Sequence, residues 1–288
     1  MGQVKRSIVE AGGRQVFVEE VLREGPTRGS IIFVNGAVAT TSALRWAVKS
    51  LTDYDLVLFD FPHLGSSRTH NPDLRSLSKE DEAAILGDLI ERYRPDFLAA
   101  QSWGGTSALL ALAERPPSVK KAIIASYSAG LTEVMRALTL ELLAAAQRCD
   151  RPAATRLVLE TLGERLPEAS RRLHERYFLR FGGEEVSQVA RQLGYVAELS
   201  YANELASWRG VEIPVMFMNG ARDRFTPPEA IAPAQARFPA VRFAVVPEAG
   251  PFLAMESQAA CAEVVAIIRG FFTRQAAEGL ASPLRRRA

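Results

Sequence analysis

The residues best suited to covalent chemistry surround a serine that follows a short apolar run. Residues 97–106 read Phe-Leu-Ala-Ala-Gln-Ser-Trp-Gly-Gly-Thr, a pattern typical of a strand that turns through Ser102 into a helix. So tight a turn needs small residues two positions before and after the serine, and Ala100 and Gly104 stand there. The pattern predicts a nucleophile elbow with Ser102 as an acyl-accepting nucleophile. An ordinary helix N-cap is the alternative interpretation of this serine.

A second apolar run ends in a loop of small residues that suits the binding of negative charge. Residues 31–41 read Ile-Ile-Phe-Val-Asn-Gly-Ala-Val-Ala-Thr-Thr. We predict that the backbone N–H groups of Ala37, on this loop, and of Trp103, directly after the serine, form an oxyanion hole. Such donors would stabilise charge that develops on a carbonyl oxygen. A simple strand-to-helix turn is the alternative.

An acidic residue follows a later predicted strand. Residues 216–228 run from Met-Phe-Met-Asn-Gly into Ala-Arg-Asp-Arg-Phe-Thr-Pro-Pro, which puts Asp223 at the end of that strand. In sequences ordered serine, acid, histidine, the catalytic acid stands here, and we expect Arg222 and Arg224 to hold it ionised. A loop carboxylate that caps the following helix would have the same local sequence.

The position that should hold a triad histidine is occupied by proline. Residues 245–256 read Val-Val-Pro-Glu-Ala-Gly-Pro-Phe-Leu-Ala-Met-Glu, so Pro251 stands where the proton acceptor for Ser102 is expected. Proline has no group that accepts or donates this proton.

Three histidines occur elsewhere in the sequence. His63 lies in the loop 60–67 after a predicted strand and is the alternative base, although Asp223 is placed to orient a base from the last loop instead. His70 is interpreted as a turn residue, and His174 as a surface residue of a helix.

The elements that must position these residues alternate between apolar, β-branched runs and amphipathic stretches. This alternation predicts an α/β fold with a mostly parallel sheet and helices on both faces. Strands are predicted at 16–21, 30–34, 56–60, 97–102, 122–125, 214–218 and 241–246, and helices at 78–93, 106–114 and 255–272.

One segment breaks the alternation. Residues 131–208 are helix-rich and charged on their outer faces, and we predict that they form a helical cap inserted into a core of residues 1–130 and 209–275. A cap over the carboxyl ends of the strands would wall a pocket there. Residues 276–288, with Arg285, Arg286 and Arg287, are predicted to be a disordered, solvated tail.

The composition indicates a globular protein with one large core and no nucleic-acid partner. The 288 residues are 48% hydrophobic and carry a formal net charge of +2, so one large core is expected and a nucleic-acid partner is not. Cys149 and Cys261 lie in apolar helical contexts and are interpreted as small core residues in a reducing compartment. We expect no metal and no cofactor. We also expect no transmembrane segment, and a cytoplasmic location follows from that expectation. A peripheral membrane contact stays open.

These motifs together resemble a known family. The residues that carry the likeness are 34–41, 57–62 with Gly65 and Ser67, 70–72, and 102–105. They resemble the 3-(3-hydroxyalkanoyloxy)alkanoate synthases of rhamnolipid synthesis, acyltransferases that are named as rhamnosyltransferases and belong to the α/β-hydrolase superfamily. The 3-hydroxyacyl-carrier-protein:coenzyme A transacylases are similar. The likeness runs over nearly the whole sequence.

The resemblance implies an acyltransferase and a set of site residues. By position, the triad of the family falls on Ser102, Asp223 and Pro251, and the last match fails. The implied reaction joins two 3-hydroxyacyl units, supplied as thioesters of acyl carrier protein or coenzyme A, into 3-(3-hydroxyalkanoyloxy)alkanoate for glycolipid synthesis. A transacylase, an esterase or thioesterase, and an acyl-binding homologue impaired by Pro251 are the alternatives.

Overall fold

The computed structural model describes residues 2–72, 75–199, 208–236, 238 and 240–273. Eight strands in these ranges form one sheet. They are β1 (Gln3–Ala11), β2 (Arg14–Leu22), β3 (Ser30–Val34), β4 (Asp55–Asp60), β5 (Phe97–Gln101), β6 (Lys121–Ala125), β7 (Val215–Gly220) and β8 (Val241–Val246). Their order across the sheet is β1-β2-β4-β3-β5-β6-β7-β8.

Six neighbouring strands of this sheet are parallel, which confirms the predicted α/β fold. The pairs from β4 to β8 are parallel, whereas β1 pairs with β2, and β2 with β4, in antiparallel register. Since parallel strands end at one edge, the loops after β3, β5, β7 and β8 converge there. Those loops carry the residues singled out by the sequence.

The sheet buries both of its faces. Consecutive strand residues alternate between two apolar cores, so that Val34 and Phe59 lie in one core while Phe33 and Leu58 lie in the other. This alternation follows from the two-residue period of a strand. Because both faces are covered, these strands appear in the sequence as continuous apolar runs.

Helices cover the two faces. They are α1 (Arg45–Ser50), α2 (Lys79–Tyr93), α3 (Trp103–Ala113), α4 (Glu133–Gln147), α5 (Arg151–Glu160), α6 (Glu168–Phe178), α7 (Gly183–Ala197) and α8 (Gln258–Thr273). Leucine and isoleucine side chains of α2 and α3 contribute to the first core, and apolar side chains of α1 and α8 to the second. The helix predicted at 106–114 begins earlier, at Trp103, because the backbone turns into it directly after Ser102.

All seven predicted strands are present, and one strand was not predicted. The unpredicted strand, β1, lies at the edge of the sheet and has a mostly exposed sequence, Gln-Val-Lys-Arg-Ser-Ile-Val-Glu-Ala. Because only a few side chains of β1 reach the core, its sequence lacks the apolar pattern that predicts a strand. The predicted strand at 97–102 ends at Gln101, and that at 214–218 continues to Gly220.

In the described part of the segment between β6 and β7 lie four helices, α4 to α7, and we call them the insertion helices. Over the described residues 126–199 the structure has helices and turns and no strand, as the sequence pattern indicates. Their treatment as a separate cap with boundaries at 131 and 208 stays a prediction. The predicted tail, 276–288, lies outside the described residues.

The prediction for the cysteines is wrong for Cys149. This residue is exposed and has a φ of +54°, because α4 ends just before it and the backbone turns into α5. Cys261 is half-buried in α8, where its Sγ lies 3.8 Å from the Ser50 hydroxyl. Neither cysteine forms a disulfide.

No helix in the described part of the protein is long and apolar enough to cross a membrane.

The centre of the first core offers a test of the packing. Phe217 is buried in β7, with its ring stacked at 6.3 Å on Tyr127 and at 6.3 Å on Phe243. We expect Phe217→Ala to lower the free energy of unfolding by about 3–5 kcal/mol, because it removes buried area and leaves a cavity. Leu140→Ala, at an exposed position of α4, should change it by less than about 0.5 kcal/mol. Urea denaturation measures both, and equal effects would contradict this core assignment.

Candidate active site

Ser102 occupies a strained turn between β5 and α3. Its φ is +51° and its ψ is −126°, values that a serine rarely adopts. The N–H of Ser102 donates to the carbonyl oxygen of Ala125 at 2.8 Å, and its own carbonyl accepts the N–H of Gly105 at 2.8 Å. The residue is exposed although its neighbours on the helix side are buried. The turn therefore presents the hydroxyl at the edge of the sheet, as a nucleophile elbow requires.

The loop after β3 lies directly against this turn. A Cβ on Gly104 would overlap the carbonyl oxygen of Asn35 and lie 2.8 Å from that of Val34. A Cβ on Gly36 would lie 3.2 Å from the carbonyl oxygen of Gln101 and 3.3 Å from the Cβ of Ser102. Glycine at these two positions lets the start of α3 and the end of β3 approach each other closely.

The predicted oxyanion donors lie on the two sides of this contact. Among the described residues, the N–H groups of Ala37 and Trp103 have no hydrogen-bond acceptor. The Ala39 N–H donates to the Gly36 carbonyl at 3.3 Å and closes a turn in which Val38 has a φ of +59°. A β-branched residue in this region is strained, and strain of this kind clusters at functional sites. The role of the two N–H groups as an oxyanion hole stays a prediction.

Asp223 is buried after β7 and makes its hydrogen bonds within its own turn. Its Oδ1 accepts the N–H groups of Phe225 and Thr226, each at 2.9 Å, and its Oδ2 accepts the Thr226 hydroxyl at 2.6 Å. The side chain is 2% exposed. These three donors satisfy the carboxylate without a charged partner.

The expected support of Asp223 by its neighbouring arginines is wrong. Arg222 pairs with Glu248 at 3.0 Å, and Arg224 pairs with Glu164 at 3.6 Å. Both arginines are more than half exposed, so they pair with exposed acids outside the turn, whereas Asp223 faces inward.

The loop that carries Pro251 is fastened to the elbow strand. The carbonyl oxygen of Pro251 accepts the Ser126 hydroxyl at 2.7 Å and the Gln101 side-chain amide at 3.1 Å. The Arg222 N–H donates to the Ala249 carbonyl at 2.8 Å and joins the same loop to the turn of Asp223. Position 251 therefore lies between the elbow and the acid turn, where the serine–acid–histidine order places its third member.

A buried carboxylate that the sequence analysis missed supports this loop. Glu256 accepts the N–H of Gly250 at 2.7 Å and that of Phe252 at 3.0 Å. It also pairs with Arg165, between α5 and α6, at 3.2 Å. Thus one glutamate holds both sides of Pro251 and connects the loop to the insertion helices.

The alternative base, His63, is deeply buried. It is 5% exposed, its ring stacks on Phe61 with centroids 6.4 Å apart, and its Nδ1 has no partner among the described residues. Burial lowers the pKa of His63 to about 3. An imidazole with so low a pKa is a weak proton acceptor at neutral pH, which counts against His63 as the base.

The other two histidines differ from each other in their surroundings. His70 is exposed in a 3₁₀ turn, Arg68–His70, in agreement with its interpretation as a turn residue. The interpretation of His174 as a surface residue is wrong. This residue is half-buried in α6 between Phe178 and Phe252, with centroid distances of 5.9 Å to each ring. It contacts the loop of Pro251 because α6 packs onto that loop.

A second missed carboxylate, Glu82, lies beneath the elbow. It projects from α2 and is 0% exposed. Its Oε2 accepts the indole N–H of Trp103 at 2.6 Å and the Ser107 hydroxyl at 2.8 Å. Its Oε1 accepts the side-chain amides of Gln188 at 3.2 Å and Gln192 at 2.9 Å, both on α7. One carboxylate therefore joins α2, the elbow helix α3 and an insertion helix.

The charge of Glu82 is set by two opposing effects. Burial raises the pKa of Glu82, the four hydrogen-bond donors lower it because they favour the ionised form, and the resulting pKa is about 7. The position of Glu82 beside Ile85, Leu86 and Leu89 on the apolar face of α2 is a sequence signal that could have identified it as buried.

The close approach of α3 to β3 predicts a difference between two glycines. Gly104→Ala should lower the free energy of unfolding by about 1–3 kcal/mol, because the added methyl group meets backbone that cannot move aside. Gly87→Ala, inside α2 with no atom within 4 Å of its Cβ position, should raise it by about 0.5–1 kcal/mol. Thermal and urea unfolding test this pair. A stable Gly104→Ala protein would contradict the tight contact.

The raised pKa of Glu82 predicts a pH-dependent stability. Between its ordinary pKa of 4.5 and the folded value of about 7, the folded state binds a proton that the unfolded state does not. This contribution is complete below the lower value and is lost as the pH rises through the upper one. From about pH 5 to about pH 8, the Tm of the wild type should therefore fall relative to that of Glu82→Gln. Differential scanning calorimetry measures the two Tm values, with Glu80→Gln, at an exposed position, as the control. A Tm difference between the wild type and Glu82→Gln that does not change with pH would contradict the raised pKa of Glu82.

Comparison with known proteins agrees with this geometry. The Alpha/beta hydrolase family model matches residues 31–266. The (R)-3-hydroxydecanoyl-ACP:CoA transacylase of Pseudomonas putida is 35% identical over 269 residues, which are 92% of this sequence and 90% of that protein. The protein of the same name from Ectopseudomonas oleovorans is 36% identical with the same coverage, and that from Pseudomonas aeruginosa is 34% identical over 278 residues, 95% of this sequence and 92% of that protein.

Solved structures share the fold at low sequence identity. MGS-M2, an alpha/beta hydrolase enzyme from a Medee basin deep-sea metagenome library, superposes with a TM-score of 0.76 at 16% identity, over 96% of this sequence and 100% of that one. An esterase from Exiguobacterium antarcticum gives a TM-score of 0.74 at 16% identity, over 95% and 100%. The match to the family model and the identity to the three transacylases show that the protein belongs to the alpha/beta hydrolase family, in the group that contains the (R)-3-hydroxydecanoyl-ACP:CoA transacylases.

Proposed function

We propose that this protein is an acyltransferase that takes a 3-hydroxyacyl group from a thioester and transfers it to the 3-hydroxyl of a second hydroxyacid. The observation that carries the proposal is an exposed serine on an elbow, Ser102, in a sequence about one-third identical over its length to 3-hydroxydecanoyl transacylases. The product is 3-(3-hydroxyalkanoyloxy)alkanoate, a precursor of glycolipids. Acyl carrier protein or coenzyme A carries the donor.

The first half-reaction forms an acyl-enzyme. The Oγ of Ser102 loses its proton to a base and attacks the thioester carbonyl carbon, and the oxygen that becomes negative accepts hydrogen bonds from the N–H groups of Ala37 and Trp103. The C–S bond then breaks, and the thiolate leaves and takes up the proton that the serine lost. Because a thiol has a pKa of about 8.5, its thiolate leaves without full protonation. This leaving group therefore needs less help from a general acid than an alcohol or an amine would.

The second half-reaction forms an ester. The 3-hydroxyl of the acceptor attacks the acyl carbon, loses its proton to a base, and the Oγ of Ser102 leaves and regains a proton. Asp223 is buried in a turn that is hydrogen-bonded to the loop of Pro251. Its carboxylate would stabilise a positive charge that develops on a base at this loop. The insertion helices wall the acyl pocket as a cap, a proposal supported by their contacts with the 251 loop through Arg165 and with Glu82 through α7.

The acceptor distinguishes this reaction from its closest alternative. The names of the relatives describe transfer between acyl carrier protein and coenzyme A, so a thiol acceptor would give a transacylase. Water as the acceptor would give a thioesterase. A cytoplasmic location and the absence of any cofactor complete the proposal; two free cysteines are compatible with that compartment.

A second candidate function follows from Pro251. Removing the histidine of a serine triad costs about a millionfold in turnover, and about a thousandfold acceleration over water remains. With proline there, and with no histidine hydrogen-bonded to Asp223 among the described residues, the protein would be an acyl-binding homologue with little turnover.

Intact-protein mass spectrometry after mixing with 3-hydroxydecanoyl-coenzyme A separates these functions. We expect the 3-hydroxydecanoyl adduct on the wild type and on Pro251→His, and none on Ser102→Ala, because Ser102 is the acyl acceptor. Chromatography of the lipid extract should show the dilipid with the wild type.

Other outcomes of the same experiment are equally clear. An adduct that survives Ser102→Ala would contradict the serine mechanism. An adduct on Pro251→His alone, with a thioester-induced rise in the Tm of the wild type, would assign the acyl-binding function. Free 3-hydroxydecanoate in place of dilipid would assign hydrolysis.

A further inference from the structure

Helix α6 contacts two loops at the edge of the sheet at which Ser102 lies. The hydroxyl of Tyr177 reaches the backbone of Gly65, in the loop after β4. One turn earlier, His174 packs on Phe252, in the loop after β8. In the sheet, β4 and β8 lie on opposite sides of β5, the strand that ends before Ser102. Residues three apart share one face of a helix, so one face of α6 contacts the loops on both sides of β5.

The ring of His174 is held in one tautomer. Its Nδ1 lies 2.8 Å from the carbonyl oxygen of Ser170. A carbonyl oxygen only accepts hydrogen bonds, so Nδ1 carries the proton and Nε2 keeps its lone pair. In a serine triad the acid fixes the histidine in the same way, and here a backbone carbonyl supplies that orientation.

Packing fixes the direction of this ring. The ring lies between Phe178 and Phe252, and Phe252 directly follows Pro251 in the loop that Ser126 and Gln101 fasten to the elbow. The imidazole thus approaches, from the insertion helices, the same loop that would carry a triad histidine. His63, with a pKa of about 3, and His70, exposed in its turn, offer no equivalent.

We propose that His174 is the general base for Ser102, replacing the histidine absent from position 251; this inference rests on the proposed acyltransferase function. Nε2 of His174 takes the Ser102 proton, directly or through one water, as Oγ bonds to the thioester carbon and the thiolate leaves. The imidazolium passes that proton to the departing thiolate. In the second half-reaction, Nε2 takes the proton of the acceptor hydroxyl and returns it to Oγ as the acyl–serine bond breaks.

The test measures the rate of the Ser102 adduct by rapid quench and mass spectrometry, with 3-hydroxydecanoyl-coenzyme A and the full-length protein. His174→Ala should slow acylation by about 10²–10⁴-fold, the usual contribution of a general base. Added imidazole should restore much of the rate, because it fills the space left by the ring. Leu173→Ala, an exposed neighbour on α6, should acylate at the wild-type rate.

Two results would overturn the role of His174 alone. One is a His174→Ala protein that acylates as fast as the wild type. The other is a loss of rate that neither imidazole nor the second substitution Pro251→His reverses, which would mean that His174 only packs against the loop. A wild type that forms no acyl-enzyme would contradict the proposed function as well, so the two failures are distinguishable.

Discussion

The strained backbone of Ser102 is the constraint on which the rest of the site depends. A serine held at a φ of +51° costs on the order of 1–3 kcal/mol and persists only where its surroundings enforce it. Three contacts do so: the bond from its N–H to Ala125, the bond from Gly105 to its carbonyl, and the approach of Gly104 to the end of β3. The same approach sets the loop of Ala37 beside the serine. A single turn therefore positions the predicted nucleophile and both predicted oxyanion donors.

Two buried carboxylates connect the elbow and the loop of Pro251 to the insertion helices. Glu82 joins the elbow helix to α7, and Glu256 holds the loop of Pro251 and reaches Arg165. A buried carboxylate costs free energy unless donors surround it, and each of these two accepts several hydrogen bonds. Residues that would form the pocket are thus connected to the insertion helices by two buried carboxylates. A shift of the insertion helices would therefore be transmitted to the elbow through Glu82 and Trp103.

Local patterns predicted the fold and the backbone of the site well. The strand that turns at Ser102, the small-residue loop after β3 and the acid after β7 are each encoded within about ten neighbouring residues, and the structure brings them to one edge. The predictions that failed concern contacts between residues that are distant in the sequence. The partners of Arg222 and Arg224 lie in other loops, the hydrogen-bond partners of Glu82 lie on α3 and α7, and His174 is half-buried because the loop of Phe252 packs against it. No periodicity within one segment encodes such contacts, and β1 was missed because an edge strand has too few buried side chains to form a pattern.

Proline at position 251 preserves the backbone of the loop but removes the proton acceptor expected there. Its carbonyl still joins Ser126 and Gln101, so the loop keeps its place although the side chain cannot take part in catalysis. A thioester donor suits this arrangement, since its thiolate leaves readily and the base is needed mainly to activate the oxygen nucleophiles.

The most direct test of an acyl-enzyme in this protein is the amount of thiol released from 3-hydroxydecanoyl-coenzyme A before any acceptor is added. Acyl transfer through Ser102 should give a burst of about one thiol per protein molecule, followed by slow release that accelerates when free 3-hydroxydecanoate is supplied. Absence of a burst, or steady release that is indifferent to the acceptor, would contradict acyl transfer through Ser102.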